Sequence, residues 1–536
     1  MDVVSLGSSG DISGVPDDHD YDVAVIGYGP TGALLTLMLA RAGFRVCAIE
    51  RHSSLFGLPR AVHFDDEIAR ILQSAGLEDA IARFAVPTER CRFDYIGAAG
   101  QTIMSMDVGT QVGDAGWATA YSFAQPDLEC ALDEAVSAQP TATVMMGTAC
   151  NDVHQDADGA TLTVEPRDGS PSRQVRARYV VGADGANSFV RTRMNVEVRD
   201  LGFAYDWLVV SIRYISPNAP KINMTQICDP ARPITIVPGG HDRQRFEFML
   251  TPDENAADMN APDIAWALLA PFGVTPDNAV LERHAVYTFG ARWAESWRDG
   301  RLFLAGDAAH IMPPFRAQGM CSGMRDAATL AWRLAMVLRG DTSDALLDGY
   351  AEERLPHVIA MIEQTIEIGR MICIADPVRA AQRDAMMEAA AKMPDFKPPI
   401  QPIRLGNGLV RENDPTAGFL GFQGRVELNG HSGRFDTVVG GGFSLVAVGV
   451  GPNDHLTEES RAYLDELGAI VAQVSGDGLI RDVDRQYEAW FAREGIVAIL
   501  LRPDFYRFGS AVSAADIEPL VASLRAKLPL RVPVAA

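Results

Sequence analysis

Beginning at Asp22, the chain runs through a short unbroken apolar stretch, DVAVIG. The segment PTGALLTLMLARAG follows, with apolar residues at helical spacing, and then a second short run, RVCAIER. Uninterrupted apolar runs of this length suit strands buried on both faces, and Gly43 suits a helix end. The pattern predicts strand, helix, strand, the opening unit of a doubly wound sheet. From about 90 to 125 and from about 200 to 290 the pattern changes. WLVVSIRYI and RFEFMLTP alternate in strand fashion with no long helix between them, which predicts an antiparallel sheet carried as insertions. Helical spacing returns from Ser322 to Arg339. It returns again in LLDGYAEERLPHVIAMIEQTIEIGRMI, where a kink is expected near Pro356. AAKMPDFKPPIQPIRLGNG is rich in Pro and Gly and reads as a linker. Beyond it, GFSLVAVG, LTEESRAYLDELGA and GIVAILLRPDFYRFG predict strand, helix, strand in a separate small α/β unit.

Composition narrows the possibilities. The 536 residues suffice for about two to four domains, and 47% hydrophobic with 22% charged residues is an ordinary globular mixture. A formal net charge of -23 excludes nucleic acid as an expected partner. The cysteines at 47, 91, 130, 150, 228, 321 and 373 are odd in number and form no CxxC pair. That argues against a disulfide framework and a structural zinc site, and for a reduced cytoplasmic protein with no metal. No run of about 18 apolar residues occurs, so no membrane span is expected. Residues 1–20, polar and rich in Gly, Ser and Asp, are expected to form a disordered leader.

Chemistry enters at the end of the first strand. Gly27, Gly29 and Gly32 make G-x-G-x-x-G, followed by Pro30 and Thr31 at the helix start. The first glycine allows a tight turn, the second the approach of a pyrophosphate, and the third close packing of helix on strand. The helix N-terminus offers N–H groups and partial positive charge to phosphates. Glu50, at the end of the second strand, can accept the ribose hydroxyls of an adenosine and disfavours a 2'-phosphate. NAD and FAD are both compatible with this unit. Two later segments matter. VVGADGANSFVR carries Asp184, Gly185, Ser188 and Arg191 after a strand. GRLFLAGDAAHIMPPFRAQGMCSGMRDA delivers Asp307 at a strand end, then a Pro-Pro loop, then Gly319 and Gly323 at a helix start. A carboxylate there can hold a chain of hydroxyls, and the helix start presents its electropositive end to whatever lies before it.

In the order and spacing of these three motifs, residues 20 to 375 resemble the class A flavoprotein monooxygenases, aromatic hydroxylases of the 4-hydroxybenzoate hydroxylase type. LPRAVHFDDEIARIL, FAQPDLECAL, RQRFEFML and QGMCSGMRDAATLAWRLA are most similar to 3-(3-hydroxyphenyl)propionate hydroxylases. The segment LLRPDFYRFG resembles the thioredoxin-like tail of the phenol hydroxylase branch; lacking CxxC, it is expected to serve structure or a homodimer contact. The resemblance implies an α/β fold: a Rossmann-like FAD-binding domain over 21–200 and 286–400, with 90–125 joining the substrate domain, an antiparallel substrate-domain sheet over 201–285, and a thioredoxin-like domain over 401–536. It implies FAD held by Gly27, Gly29, Pro30, Thr31, Gly32, Glu50 and Arg51. Arg60, Gln125 and Asp184 would lie along the pyrophosphate and ribityl chain, and Asp307 on the ribityl hydroxyls. Pro314 and the backbone of Gly319, Met320 and Cys321 would face the flavin ring. Many relatives carry Asn where this chain has Cys321, a change that matters only if the side chain makes the contact.

The implied activity is NADH- or NADPH-driven, O2-dependent hydroxylation of a phenol ortho or para to its hydroxyl, by way of a flavin C4a-hydroperoxide. Such chemistry needs a closed apolar pocket, for which HIMPPF and the inserted sheet are candidate walls. His63 and Pro314 are candidates at the reacting centre, and His63, Arg245 and Phe315 for substrate contact. His310, Trp207 and Tyr214 read as structural, and Asp65 and Asp66 as caps of the next helix. The substrate expected is 3-(3-hydroxyphenyl)propionate-like. A resorcinol, hydroxybenzoate or polyketide-like phenol, and a non-catalytic dinucleotide-binding protein, are the alternatives.

Overall fold

A computed structural model describes residues 19–88, 91–108, 111–220, 222–393 and 401–531. The expected leader lies outside these residues except for His19 and Asp20, as does the centre of the expected linker. Three larger sheets and one small one organise the described chain.

The first is built on parallel strands. Tyr21–Ile26 lies between Val46–Ile49 and Arg173–Gly182; Ala142–Met145 extends one side and Leu302–Leu304 the other. Valine, isoleucine and leucine dominate the central strands because both faces are covered. The strand order reverses at Tyr21–Ile26, so a crevice opens beyond its carboxyl end. Helix Pro30–Arg41 starts at that crevice with Pro30 as its first residue, where a missing N–H costs nothing. Helix Gly319–Arg339 starts there too. The two helices meet where glycine permits: a methyl group on Gly323 would collide with the Thr31 hydroxyl.

The second sheet has eight strands, in the order His310–Ile311, Ala279–Ala294, Val198–Tyr214, Arg243–Met249, Ile234–Pro238, Met224–Ile227, Cys91–Ile96, Thr102–Val108. All neighbours are antiparallel except Cys91–Ile96 with Met224–Ile227. The expected limits of 201–285 fall inside its two longest strands, which pair as far out as Val198↔Ala294. Residues 198–202 are exposed and show no alternation, so the pattern does not reveal them. Trp293↔His310 ties the sheet directly to the segment behind Asp307.

The third sheet lies in residues 425–511. Ile470–Ser475 is the middle of its seven strands, and Ser444–Val448 beside it is parallel to it and antiparallel to Ala498–Leu501. The stretch expected as one strand, GIVAILLRPDFYRFG, is instead a hairpin of Ala498–Leu501 and Arg507–Ala511. Pro503 cannot donate to a ladder, and Phe505 sits at φ 69, which closes the turn. Helix Asp348–Ile372 continues through Pro356. Helix Pro377–Ala391, capped by Asp376, has no counterpart in the sequence pattern: it buries only Ala380, Arg383 and Met387, too few to show a period.

Candidate active site

The glycine turn has the stereochemistry its spacing demands. Gly27 adopts φ +100, and a side chain there would strike the Ala183 carbonyl, while one on Gly32 would strike the carbonyl of Gly27. A methyl on Gly29 would meet nothing within 4 Å, so the turn leaves open space over its middle glycine. Glu50 is fixed beside it, accepting from the Tyr28 N–H at 3.0 Å and the His52 N–H at 2.9 Å. Each carboxylate oxygen retains lone-pair capacity for hydroxyls. Arg51 is exposed next to it.

Asp184 turns back on its own loop, accepting from the N–H groups of Phe189 and Val190 at 2.7 and 3.2 Å. Its Oδ1 is buried without a partner, and burial raises its pKa. Asp307 is exposed at the base of the crevice after Leu302–Leu304. The protein around it raises its pKa by desolvation, against the pull of His310 and Arg60. Gln125 uses its amide within the protein, accepting from the Ala61 N–H at 2.8 Å and donating to Glu129 at 2.6 Å. Its amide thereby ties the start of helix Gln125–Ser137 to the loop at Ala61. Arg60 is exposed and lies 3.7 Å over the Phe56 ring. An open middle glycine, an orphaned carboxylate oxygen and an exposed acid along one crevice fit an extended dinucleotide.

The crevice ends at the first turn of Gly319–Arg339. Gln318 makes no side-chain cap, no acid occupies the first turn, and a methyl on Gly319 would meet nothing within 4 Å. These amides thus face open space with the positive end of the helix dipole. Cys321 points the other way: its thiol is buried towards the carbonyls of Ala317 and His63, and burial raises its pKa. The Cys-for-Asn difference therefore leaves the outward face of the tip to backbone. Asp65 caps helix Asp66–Ser74 as expected, accepting from Ile68 N–H. Asp66 instead accepts from the Ala115 N–H at 3.2 Å.

Around the tip stand the groups expected to meet substrate. Phe315, in the turn Pro314–Arg316, meets Trp207, Phe289 and Phe203 edge-on at 5.8, 6.0 and 6.2 Å. Trp207 is fully buried and stacks on Phe289 at 5.7 Å, yet its indole N–H has no partner. His63, on a two-residue strand beside Ser122, has a buried Nδ1 without a partner, and desolvation lowers its pKa, so it is neutral at pH 7. Arg245 is buried. It donates to the Arg60 carbonyl and to Ser211 at 3.4 Å, lies 3.9 Å from Glu247, and leaves one guanidinium nitrogen unpartnered. Burial lowers the Arg245 pKa and raises that of Glu247, each offset by the other. Arg283 donates to the Pro59 carbonyl at 2.9 Å and to the Tyr287 hydroxyl. Desolvation, with Arg60 and Arg245 adding, lowers its pKa to about 10. His310 is structural: it meets Asp326 at 2.7 Å in a fully buried pair. Tyr214 faces the opposite side of the sheet, donating to Gln244. Among the described residues, no group of acids, histidines and cysteines suits a metal, and no helix is long and apolar enough to cross a membrane.

Of the Trp207–Phe289–Phe315 wall, the sequence marks Phe315 and the inserted sheet in general, while Trp207 reads as structural. The available signal is the alternation of Trp207, Val209 and Ser211 against Leu208, Val210 and Ile212, which separates the two faces without saying which is functional.

With this geometry in place, residues 20–365 match the model of the FAD binding domain, and residues 418–527 match the HcaD C-terminal domain. The chain belongs to this family of FAD-dependent aromatic hydroxylases, and FAD is its cofactor. It is 38% identical over 511 residues to a probable NADH-specific resorcinol 4-hydroxylase of Rhodococcus jostii, covering 94% of each chain. It is 32% identical to a 3-(3-hydroxy-phenyl)propionate/3-hydroxycinnamic acid hydroxylase of Comamonas testosteroni, covering 92% of this chain and 94% of that one. The crystal structure of the flavin-dependent monooxygenase PieE with FAD and substrate shares the fold at TM-score 0.77 and 19% identity, over 96% of this chain and 99% of that one.

Proposed function

We propose that this enzyme hydroxylates a small uncharged phenol, best represented by resorcinol, with NADH as electron donor. Bound FAD supplies the hydride acceptor and the site of oxygen activation. Gly29, Glu50, Asp184 and Asp307 hold its dinucleotide length, and the tip at Gly319–Cys321 meets its ring. The chain's own contribution is position, charge and dryness. The outward amides of Gly319 and Met320 favour negative charge at the ring edge. Phe315, Trp207 and Phe289 exclude water from the reacting face. Neutral His63, with its unpartnered nitrogen, can accept a phenolic proton and raise ring electron density. The division into a discontinuous FAD-binding domain, a substrate sheet and a thioredoxin-like tail, a homodimer, and a cytoplasmic setting belong to the same proposal.

The observation that carries an uncharged substrate is the buried Arg245–Glu247 pair: the buried cation on the aromatic face is matched by an acid on the same face. The relative named for resorcinol supports the choice, as its name supports NADH. The second reading, a carboxylated phenol such as 3-(3-hydroxyphenyl)propionate, is favoured by the unpartnered Arg245 nitrogen and by the Comamonas relative. Substrate-stimulated NADH oxidation, with product and peroxide scored separately, tests both. Resorcinol is expected to give coupled product; peroxide alone would sink the proposal. Asp307→Ala is expected to weaken FAD retention about 10- to 100-fold, the value of a hydrogen bond to a charged group, with little change in phenol affinity. Equal loss of both would refute its ribityl role.

A further inference from the structure

The buried carboxylates and cations behind the helix tip form a chain that begins in the C-terminal unit. The hairpin turn Arg502–Tyr506 leaves its own sheet and enters the FAD-binding unit. Phe505 is 4% exposed and packs in the core that holds the parallel sheet and both crevice helices. The Arg70 guanidinium lies 4.3 Å over its ring, itself held by Asp436 at 2.7 Å. A bulky residue at φ 69 is strained, and such a conformation persists only where surrounding structure imposes it. Its consequence is to carry the next residue, Tyr506, into the interior, 2% exposed, with His357 edge-on at 6.2 Å.

Tyr506 faces Glu67 and Arg325. Glu67 Oε1 is buried with no hydrogen-bond partner, and its Oε2 accepts from Arg325 Nε at 2.6 Å. Arg325 then donates to Gln318 Oε1 at 2.8 Å and to Asp65 Oδ2 at 2.6 Å, and Gln318 donates to the same Asp65 oxygen at 3.1 Å. Gln318 is the residue from which Gly319–Arg339 starts. Arg325 is thus the buried cation set between buried Glu67 and half-buried Asp65 at the tip. Burial opposes ionisation of Asp65, yet Arg325 holds it ionised, and the two acids hold Arg325 charged against its own desolvation. Without that balance, two negative charges would stand behind amides meant to favour negative charge in front.

We propose that the turn Arg502–Tyr506 is a positioning device for the flavin-facing helix tip, with Tyr506 acting through Glu67, Arg325 and Gln318. This rests on the reading that the flavin ring lies at Gly319–Cys321. Tyr506 and Arg325 are positioning residues: neither is placed against flavin or phenol. The tail, which has no CxxC, thereby acquires a role in the chemistry without a redox centre of its own.

The test uses full-length enzyme loaded with FAD, and the readout is the flavin midpoint potential with the ratio of peroxide to product. Tyr506→Phe is expected to shift the potential negative, because the buried Glu67 then loses the hydroxyl dipole facing it, and to slow flavin reduction at saturating NADH by about tenfold. Glu67→Gln is expected to shift the potential positive. Opposite signs distinguish electrostatic positioning from damage to the fold. Leu520→Ala, in the distant core of the tail, is expected to lower the melting temperature and leave the potential unchanged. If wild type retains FAD and hydroxylates phenol while Tyr506→Phe and Glu67→Gln both leave the potential where it was, the positioning role is wrong and the site reading survives. If Tyr506→Phe does not fold, Glu67→Gln alone decides by the sign of its shift. A wild-type protein whose flavin potential is insensitive to phenol, with no hydroxylated product, would overturn the site reading itself.

Discussion

The two faces of the inserted sheet come from the same strands and are built differently. One face carries Leu208, Val210, Ile212, Phe246 and Phe248, closed by Pro262–Leu269 into a satellite core. The other carries Trp207, Ser211, Arg245 and Glu247, buried as deeply, yet with an indole N–H and a guanidinium nitrogen left unpartnered. Buried polar groups without partners cost on the order of 1–3 kcal/mol each. The first face is arranged for stability. The second accepts that cost on the side turned to Phe315 and the helix tip, the side proposed to receive substrate.

The comparison breaks most directly at the closed face. Phe246→Ala, at a position with no exposure, is expected to cost about 3–5 kcal/mol in urea unfolding while the folded fraction keeps its flavin spectrum. A loss of flavin at equal folded fraction would show the faces are not independent. Arg245→Met comes next. It leaves Glu247 buried without its cation, so about 3–5 kcal/mol of stability is expected to go. Titrating each phenol against the variant separates the two substrate readings. If the substrate is uncharged, resorcinol is expected to bind within about threefold of its wild-type affinity. If it is carboxylated, the phenylpropionate is expected to bind about 10- to 100-fold more weakly.

Asp66 lies on neither face and calibrates both. Burial, with Asp65 and Glu67 adding, raises its pKa from 3.8 to about 7. The folded chain keeps this proton up to about pH 7, while the unfolded chain releases it near 3.8, so native protein binds more protons between those values. The group's contribution is complete below pH 4, falls as pH rises to 7, and is level above. Asp66→Asn is therefore expected to be more stable than wild type at pH 8 by up to about 4 kcal/mol, with the difference vanishing near pH 4. A constant difference across that range would refute the raised pKa. Smallest is Trp207→Phe, expected to cost less than about 1 kcal/mol in stability because an unpartnered N–H is removed along with ring volume. Its readout is the peroxide fraction, which is expected to rise as the wall loosens; an unchanged fraction would place Trp207 among the merely packed residues.

The glycine turn is legible in the sequence because its reasons are local: φ at Gly27 and the clash at Gly32 are decided within a few residues of chain. Asp307 and the tip at Gly319 are legible because one strand and one helix deliver them in order along the chain. Gln125 reads as a cofactor contact yet holds Ala61, since nothing in FAQPDLECAL reveals where its amide ends. The hairpin at Phe505 reads as a single strand because PD between two apolar runs gives the turn without its direction.

From the order of its residues alone, this chain determined a parallel sheet, a glycine turn at the end of its first strand, an acid just beyond Leu302–Leu304 and an electropositive helix start, because backbone sterics and period act between near neighbours. Tertiary structure decided the rest: which face of the sheet is closed, that Arg245 finds Glu247, and that Phe505 packs under Arg70 across the boundary of two units. Those depend on desolvation and on charges brought together from distant segments, and no local pattern carries that information.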